Sequence, residues 1–180
     1  LKVDEKGKAA ITLSDKVTLY PRALAPLIAR ETAKLIVADM PDCAEKHFMA
    51  RSIEVRSWLE LGGAKDRLPV IEPLDGYQDE ALSADFKLWL NNKSEMFLYK
   101  IGELTKTEDL MALEAGVQAK LRGLAANDPK RAALEKEYAG LEAANKRFVT
   151  FLLAENDWRK INGRYQGGGR GFRWRGVRGG

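Results

Sequence analysis

The sequence predicts an all-α protein of about six helices in three helix-turn-helix hairpins. Three observations predict it. Apolar residues recur at three- and four-residue steps over most of residues 21–160, the spacing of one helix face. Proline, glycine and Asx residues punctuate those runs at helix starts and stops. No segment has the apolar, β-branched character of a central strand. The predicted organisation is an extended N-terminal arm (1–20), one helical domain (21–160) and a Gly/Arg-rich tail (161–180).

The elements follow in order. In the arm, Ile11, Leu13, Val17 and Leu19 alternate with polar residues and suit a short extended segment. Pro21 opens a helix running to about Asp39, although Pro26 offers a later start. Leu24, Leu27, Ile28, Leu35 and Ile36 fall on one side of it. Met40-Pro41 stops it, because a residue before proline avoids the α region. Asp42 and Glu45 form a capping-box pair for a second helix. Its apolar face holds Phe48, Met49, Ile53, Val55, Trp58 and Leu59, and Gly62-Gly63 ends it.

After a Pro/Gly-punctuated loop, Ala81–Leu90 is the third helix, with Leu82, Phe86, Trp89 and Leu90 as its stripe. A fourth runs from about Ser94 to Leu104. Thr105 and Glu108 pair as a second capping box, which starts the fifth near Lys106. Asn127-Asp128-Pro129 reads as turn, N-cap and first helical position of the sixth. There Leu134, Tyr138, Leu141, Asn145, Phe148 and Leu152 step by 4, 3, 4, 3, 4. That rhythm is a coiled-coil-like seam, laid antiparallel along the fifth helix.

Composition narrows the function classes. The chain has 180 residues, 30 basic and 26 acidic. Five arginines and no acid lie in 161–180, so residues 1–160 carry 25 basic against 26 acidic side chains, a net of −1. The basic character therefore belongs to the tail. One cysteine, Cys43, rules out an internal disulfide framework and favours a reducing compartment. No apolar run of about eighteen residues exists to span a bilayer. A start at Leu1 fits either a removed organellar presequence or a trimmed N-terminus.

No catalytic or cofactor constellation is readable. Cys43 and His47 sit four residues apart, and two ligands are too few for a structural zinc site. A buried cysteine and a surface histidine is the simpler expectation. The interleaved Glu and Lys/Arg of residues 130–155 are ordinary pairs on a solvated helix face. Gly167-Gly-Gly-Arg-Gly-Phe172 has no strand before it or helix after it, so it is not a dinucleotide fingerprint.

The tail supplies the candidate binding residues: Arg164, Tyr165, Arg170, Phe172, Arg173, Trp174, Arg175 and Arg178. Arginine and tryptophan are favoured anchors at protein interfaces. The same residues suit nucleic acid, with arginine on phosphates and aromatics stacked on bases. Eight of the sixteen glycines lie here, which makes self-ordering costly.

Leu19-Tyr-Pro-Arg-Ala-Leu-Ala-Pro-Leu27, Arg56-Ser-Trp-Leu-Glu-Leu-Gly-Gly63, Phe86-Lys-Leu-Trp-Leu90 and Leu141-Glu-Ala-Ala-Asn-Lys-Arg147 carry a resemblance. With them the chain resembles the extra subunit that euglenozoan mitochondria attach to the catalytic head of their ATP synthase, over most of residues 15–160. The resemblance implies a pentatricopeptide-like or tetratricopeptide-like right-handed array of helical hairpins. It implies a non-catalytic structural role on the matrix side of the inner membrane. It also implies an alpha-type head subunit as partner, with no cofactor and no membrane span. The tail lies outside it. The other reading open at this point is an RNA-associated helical-hairpin protein of the mitoribosome or RNA processing.

Overall fold

A computed structural model describes residues 2–3, 9–11, 21–63 and 94–162. Apart from a two-residue antiparallel ladder near the N-terminus, their regular structure is helical: α1 (Pro21–Ile36), α2 (Ala44–Glu60), α3 (Ser94–Thr105), α4 (Leu110–Arg122) and α5 (Arg131–Asn162). In the ladder, β1 (Lys2–Val3) pairs with β2 (Ala9–Ala10), Lys2 opposite Ala10 and Val3 opposite Ala9. The all-α expectation holds for the described residues. The expected third helix, Ala81–Leu90 with Trp89, lies outside them.

The protein is organised around α2. Its buried residues, among them Glu45, Phe48, Met49, Ala50, Arg51, Glu54 and Val55, cover all but one side of the helix; Lys46, Ile53, Ser57 and Glu60 mark the side left partly open. A helix covered over so much of its circumference needs several neighbours. α1 packs along it most extensively, followed by α3 and α5. Phe48, 1% exposed, meets Phe148 of α5 edge to face, with ring centroids 5.6 Å apart. That contact joins the α1–α2 hairpin to the α4–α5 hairpin.

Pro26 lies inside α1 rather than at its start, and its ring is fully buried. As the sixth residue of the helix, Pro26 forgoes the backbone bond to Arg22 O and crowds that carbonyl, and burial of its apolar ring works against that cost. α1 ends at Ile36, three residues before the expected Asp39. Tight turns then carry the chain: Ala38 N–H donates to Leu35 O and Met40 N–H to Val37 O. The α2 stop is as expected. Gly62 takes φ +74°, the left-handed conformation glycine accepts without strain. Gly63 lies against the Trp58 ring, where a Cβ would sit 2.1 Å from ring carbons, so no larger residue fits.

Both expected capping boxes are corrected. At α2 the N-cap position is Cys43, with no side-chain cap bond. Asp42 turns instead to His47, Oδ1 to Nε2 2.7 Å. Glu45 reaches across to α4 and accepts from Leu110 N–H at 2.9 Å. At α4 the cap is Asp109, whose carboxylate accepts from Ala112 N–H at 2.7 Å. The helix begins at Leu110 and not near Lys106. Thr105 is the last residue of α3 and donates to Ile101 O. Lys106 takes φ +58°, a left-handed residue that breaks the path between the two helices.

α4 and α5 form an antiparallel hairpin. Gln118 Nε2 donates to Tyr138 Oη at 3.0 Å across it. Asp128 accepts from Lys130 N–H in the turn before α5, but the helix begins at Arg131, two residues after the expected first position, Pro129. The seam needs one correction. Asn145 is exposed, and Ala144 takes its inward place between Leu141 and Phe148. The core stripe continues through Phe151 and Leu152 to Glu155 and Trp158.

Candidate partner-binding surface

The tail residues Arg164, Tyr165, Arg170, Phe172, Arg173, Trp174, Arg175 and Arg178 all lie outside the described residues. The described residues offer two other places to look for function: the polar groups inside, and the apolar groups outside.

Inside, the N-termini of α2 and α4 converge on one carboxylate. Glu45, 5% exposed, takes the first N–H of α4, while Ala44 N–H donates to Glu108 O at 2.9 Å. An anion between two helix N-termini is electrostatically favourable. Burial nevertheless pushes the Glu45 carboxyl above its ordinary range, with the nearby Asp109 charge adding to the effect. Cys43 beside it is fully buried, and burial raises its thiol to about 11. It is a protonated thiol at neutral pH and no nucleophile. Deeper in, Glu54 (2% exposed) meets Arg51 at 2.5 Å and Arg30 at 3.4 Å. Glu155, also 2% exposed, has Arg56 at 3.9 Å. Arg56 in turn lies over the Trp158 ring at 4.8 Å, and Trp158 Nε1–H donates to Glu60 at 2.8 Å. Glu45, Glu54, Glu155 and Trp158 each bridge two helices, while Arg51 holds Glu54 from within α2, so the set reads as internal bracing. Among the described residues, no cluster of three or more His, Cys, Asp or Glu is placed to hold a metal.

Outside, several large apolar side chains stand in solvent. Ile36 is 74% exposed, Val149 49% and Leu153 62%. A depression of about 470 Å³ runs between the end of α1 and α5, with Ile36, Val37, Ala143, Phe151 and Ala154 in its wall. Lys146 and Arg147 stand at its rim. A second depression of about 300 Å³ lies next to it, with Asp39 and Glu137 among its lining residues. The ion pair of Arg147 with Asp39 separates the two. The Arg147 hydrogen bond holds the Asp39 carboxyl below its usual range.

Ile36, expected on the apolar side of the first helix, is instead exposed, and Val149 and Leu153 had no assignment in the sequence pattern. Val149 and Leu153 each follow a seam residue, Phe148 and Leu152, so they read as width of the same stripe. Only the packing separates the inward member of each pair from the outward one. Among the described residues, no helix is long and apolar enough to cross a membrane. No family model, curated protein or solved structure matches the chain.

Proposed function

We propose that this chain is a non-catalytic structural subunit of a mitochondrial assembly, bound to the outside of the ATP synthase catalytic head through an alpha-type subunit on the matrix side of the inner membrane. In this reading its hairpins form a pentatricopeptide-like right-handed array, and its arm and tail extend the contact. The observation that supports it best is the apolar surface of the two hairpins, Ile36 on one and Val149 and Leu153 on the other. Contiguous exposed apolar area marks a surface that another protein covers. A standard interface needs about 800 Å² from each partner, which one hairpin face with an arm can supply.

An RNA-associated role is the second reading, favoured by the five arginines and eight glycines of residues 161–180. The −1 net charge of residues 1–160 speaks against an RNA-reading body. Binding of the full chain to an isolated catalytic head, measured beside binding to RNA at two salt concentrations, tests the choice. The proposal expects saturable binding to the head, and RNA binding that disappears when residues 161–180 are removed. Steeply salt-dependent RNA binding that survives the deletion, with no binding to the head, refutes it.

A further inference from the structure

α5 runs beside α2 in the same direction, with Phe148 at Phe48 and Trp158 at Glu60. α2 begins at Ala44, four residues before Phe48, and α5 at Arg131, seventeen before Phe148. The turn end of the α4–α5 hairpin therefore reaches about 20 Å beyond α2. There α4 packs chiefly on α5. Two helices alone cannot enclose their seam, because an apolar stripe is wider than one line of contact. Leu124 and Leu134 accordingly stay half-buried. They line a depression of about 520 Å³ with Gly123 and Ala133, and Lys120 and Lys130 stand beside them.

Glu137, Gly140 and Leu141 follow Lys130, Ala133 and Leu134 by seven residues each, so they lie on the same side of α5. Lys130 and Glu137 are exposed, and neither has an ion pair among the described residues. The Gln118–Tyr138 hydrogen bond sets the level of the antiparallel pair. Gly123, five residues after Gln118, is level with Ala133, five before Tyr138. Turn a second copy end for end and lay depression on depression. The two-fold axis then crosses Gly123 and Ala133, where small residues let helices approach closely. Lys130 lies three residues before Ala133 and Glu137 four after, so Lys130 of each copy meets Glu137 of the other. The rest of each copy points away from its partner. Packing in the same direction instead crowds two α1–α2 turns together, since Asp39, Met40 and Pro41 wall this side of the hairpin.

We propose that the turn end of the α4–α5 hairpin is a self-docking surface, on which a second copy packs end for end to close a four-helix bundle over Leu124 and Leu134, with Lys130 against Glu137. Such a contact is isologous, each patch serving as its own complement. It covers about three turns of each helix, less than a standard interface, so the association is weak and concentration-dependent. Val149 and Leu153 lie further along α5 on another side, and Ile36 on α1, so the surface given above to a different protein stays uncovered. The inference does not depend on that reading.

Sedimentation of the nuclease-treated full chain, up to about 0.5 mM, reads the association, with helix content checked by circular dichroism for every variant. The wild-type chain is expected to form dimers and nothing larger. Ala133→Glu, at an exposed helix position, abolishes them by setting two like charges at the axis. Lys130→Glu and Glu137→Lys each weaken association about tenfold, because two symmetry-related pairs change from attraction to repulsion. The double variant Lys130→Glu/Glu137→Lys restores it, whereas Lys120→Glu/Glu137→Lys stays as weak as Glu137→Lys alone. A chain that stays monomeric throughout overturns the proposal. Dimers indifferent to Ala133→Glu, or rescue by the Lys120 exchange in place of the Lys130 exchange, overturn it equally.

Discussion

α2 and α5 solve opposite problems with the same residue types. α2 is buried over most of its circumference and encloses charge: Glu45, Arg51 and Glu54 are all at most 6% exposed. α5 is 32 residues long, about 48 Å, and shows solvent much of its apolar surface while hiding a narrow seam. Of the charged groups inside α2, Glu45 reaches the backbone of α4 and Glu54 reaches Arg30 of α1, while Arg51 holds Glu54 from within the helix. The apolar groups outside α5 add nothing to the interior and are available for contacts with other molecules. Polarity by itself therefore does not tell inside from outside here; position relative to the neighbouring helices does.

The sharpest way to break this contrast is to remove the contact that joins the two hairpins. Phe48→Ala should cost about 3–5 kcal/mol, read as a fall in the urea midpoint. A value near that of a surface substitution would mean that α2 is not the hub. Next comes the buried charge. Glu54→Ala takes away the carboxylate that Arg51 meets at 2.5 Å, and loss of one partner of a buried pair costs about 3–5 kcal/mol at the upper end. Replacing both, Arg51→Met with Glu54→Leu, should recover most of the loss. Failure to recover would show that the pair does more than brace.

Glu45 sharpens the comparison further, since its side chain ties the two helix N-termini. Glu45→Ala leaves the first N–H of α4 unpaired in the interior and should cost about 1–3 kcal/mol. Glu45→Gln keeps an acceptor and should cost less. The pH dependence has a definite sign. The folded-state pKa of Glu45 lies above its unfolded value. Its contribution is fully present below the unfolded pKa and is lost as pH rises through the folded pKa. The stability of wild type relative to Glu45→Gln should therefore decline from acid toward neutral pH. A rise over that interval would contradict the assigned burial.

The smallest effect tests the register of α5. Ala144→Leu should overpack the seam and cost about 1–3 kcal/mol, whereas Asn145→Leu should stay within about 0.5 kcal/mol. The reverse order would restore the seam that the step pattern alone suggests.

That last pair shows how far the sequence could be read. Helix existence and most stops were legible because they depend on local signals: Pro41, Gly62 and Asp128-Pro129 act on their own neighbours. The caps were misread where a side chain had a distant option. Glu45 was placed in a local box, yet the N–H it takes lies 65 residues away at Leu110. Thr105 and Glu108 match the box pattern equally well, but the left-handed Lys106 moves the start of α4 to Leu110. Asn145 and Ala144 differ by one residue, and a strict 3.5 period cannot choose between them along a straight helix of 3.6 residues per turn. Val149 and Leu153 could not be separated from the seam for the same reason, whereas Ile36, expected on the apolar side of α1, is left outside at the end of that helix.

The central claim is that this molecule works by holding another protein. Affinity purification of the tagged full chain from its own cells, with the co-purifying proteins quantified by mass spectrometry, tests it most directly. The account predicts the alpha-type and other head subunits of the ATP synthase in fixed ratio to the chain, retained at high salt. Recovery of RNA and ribosomal proteins in their place, released as salt is raised, would contradict it.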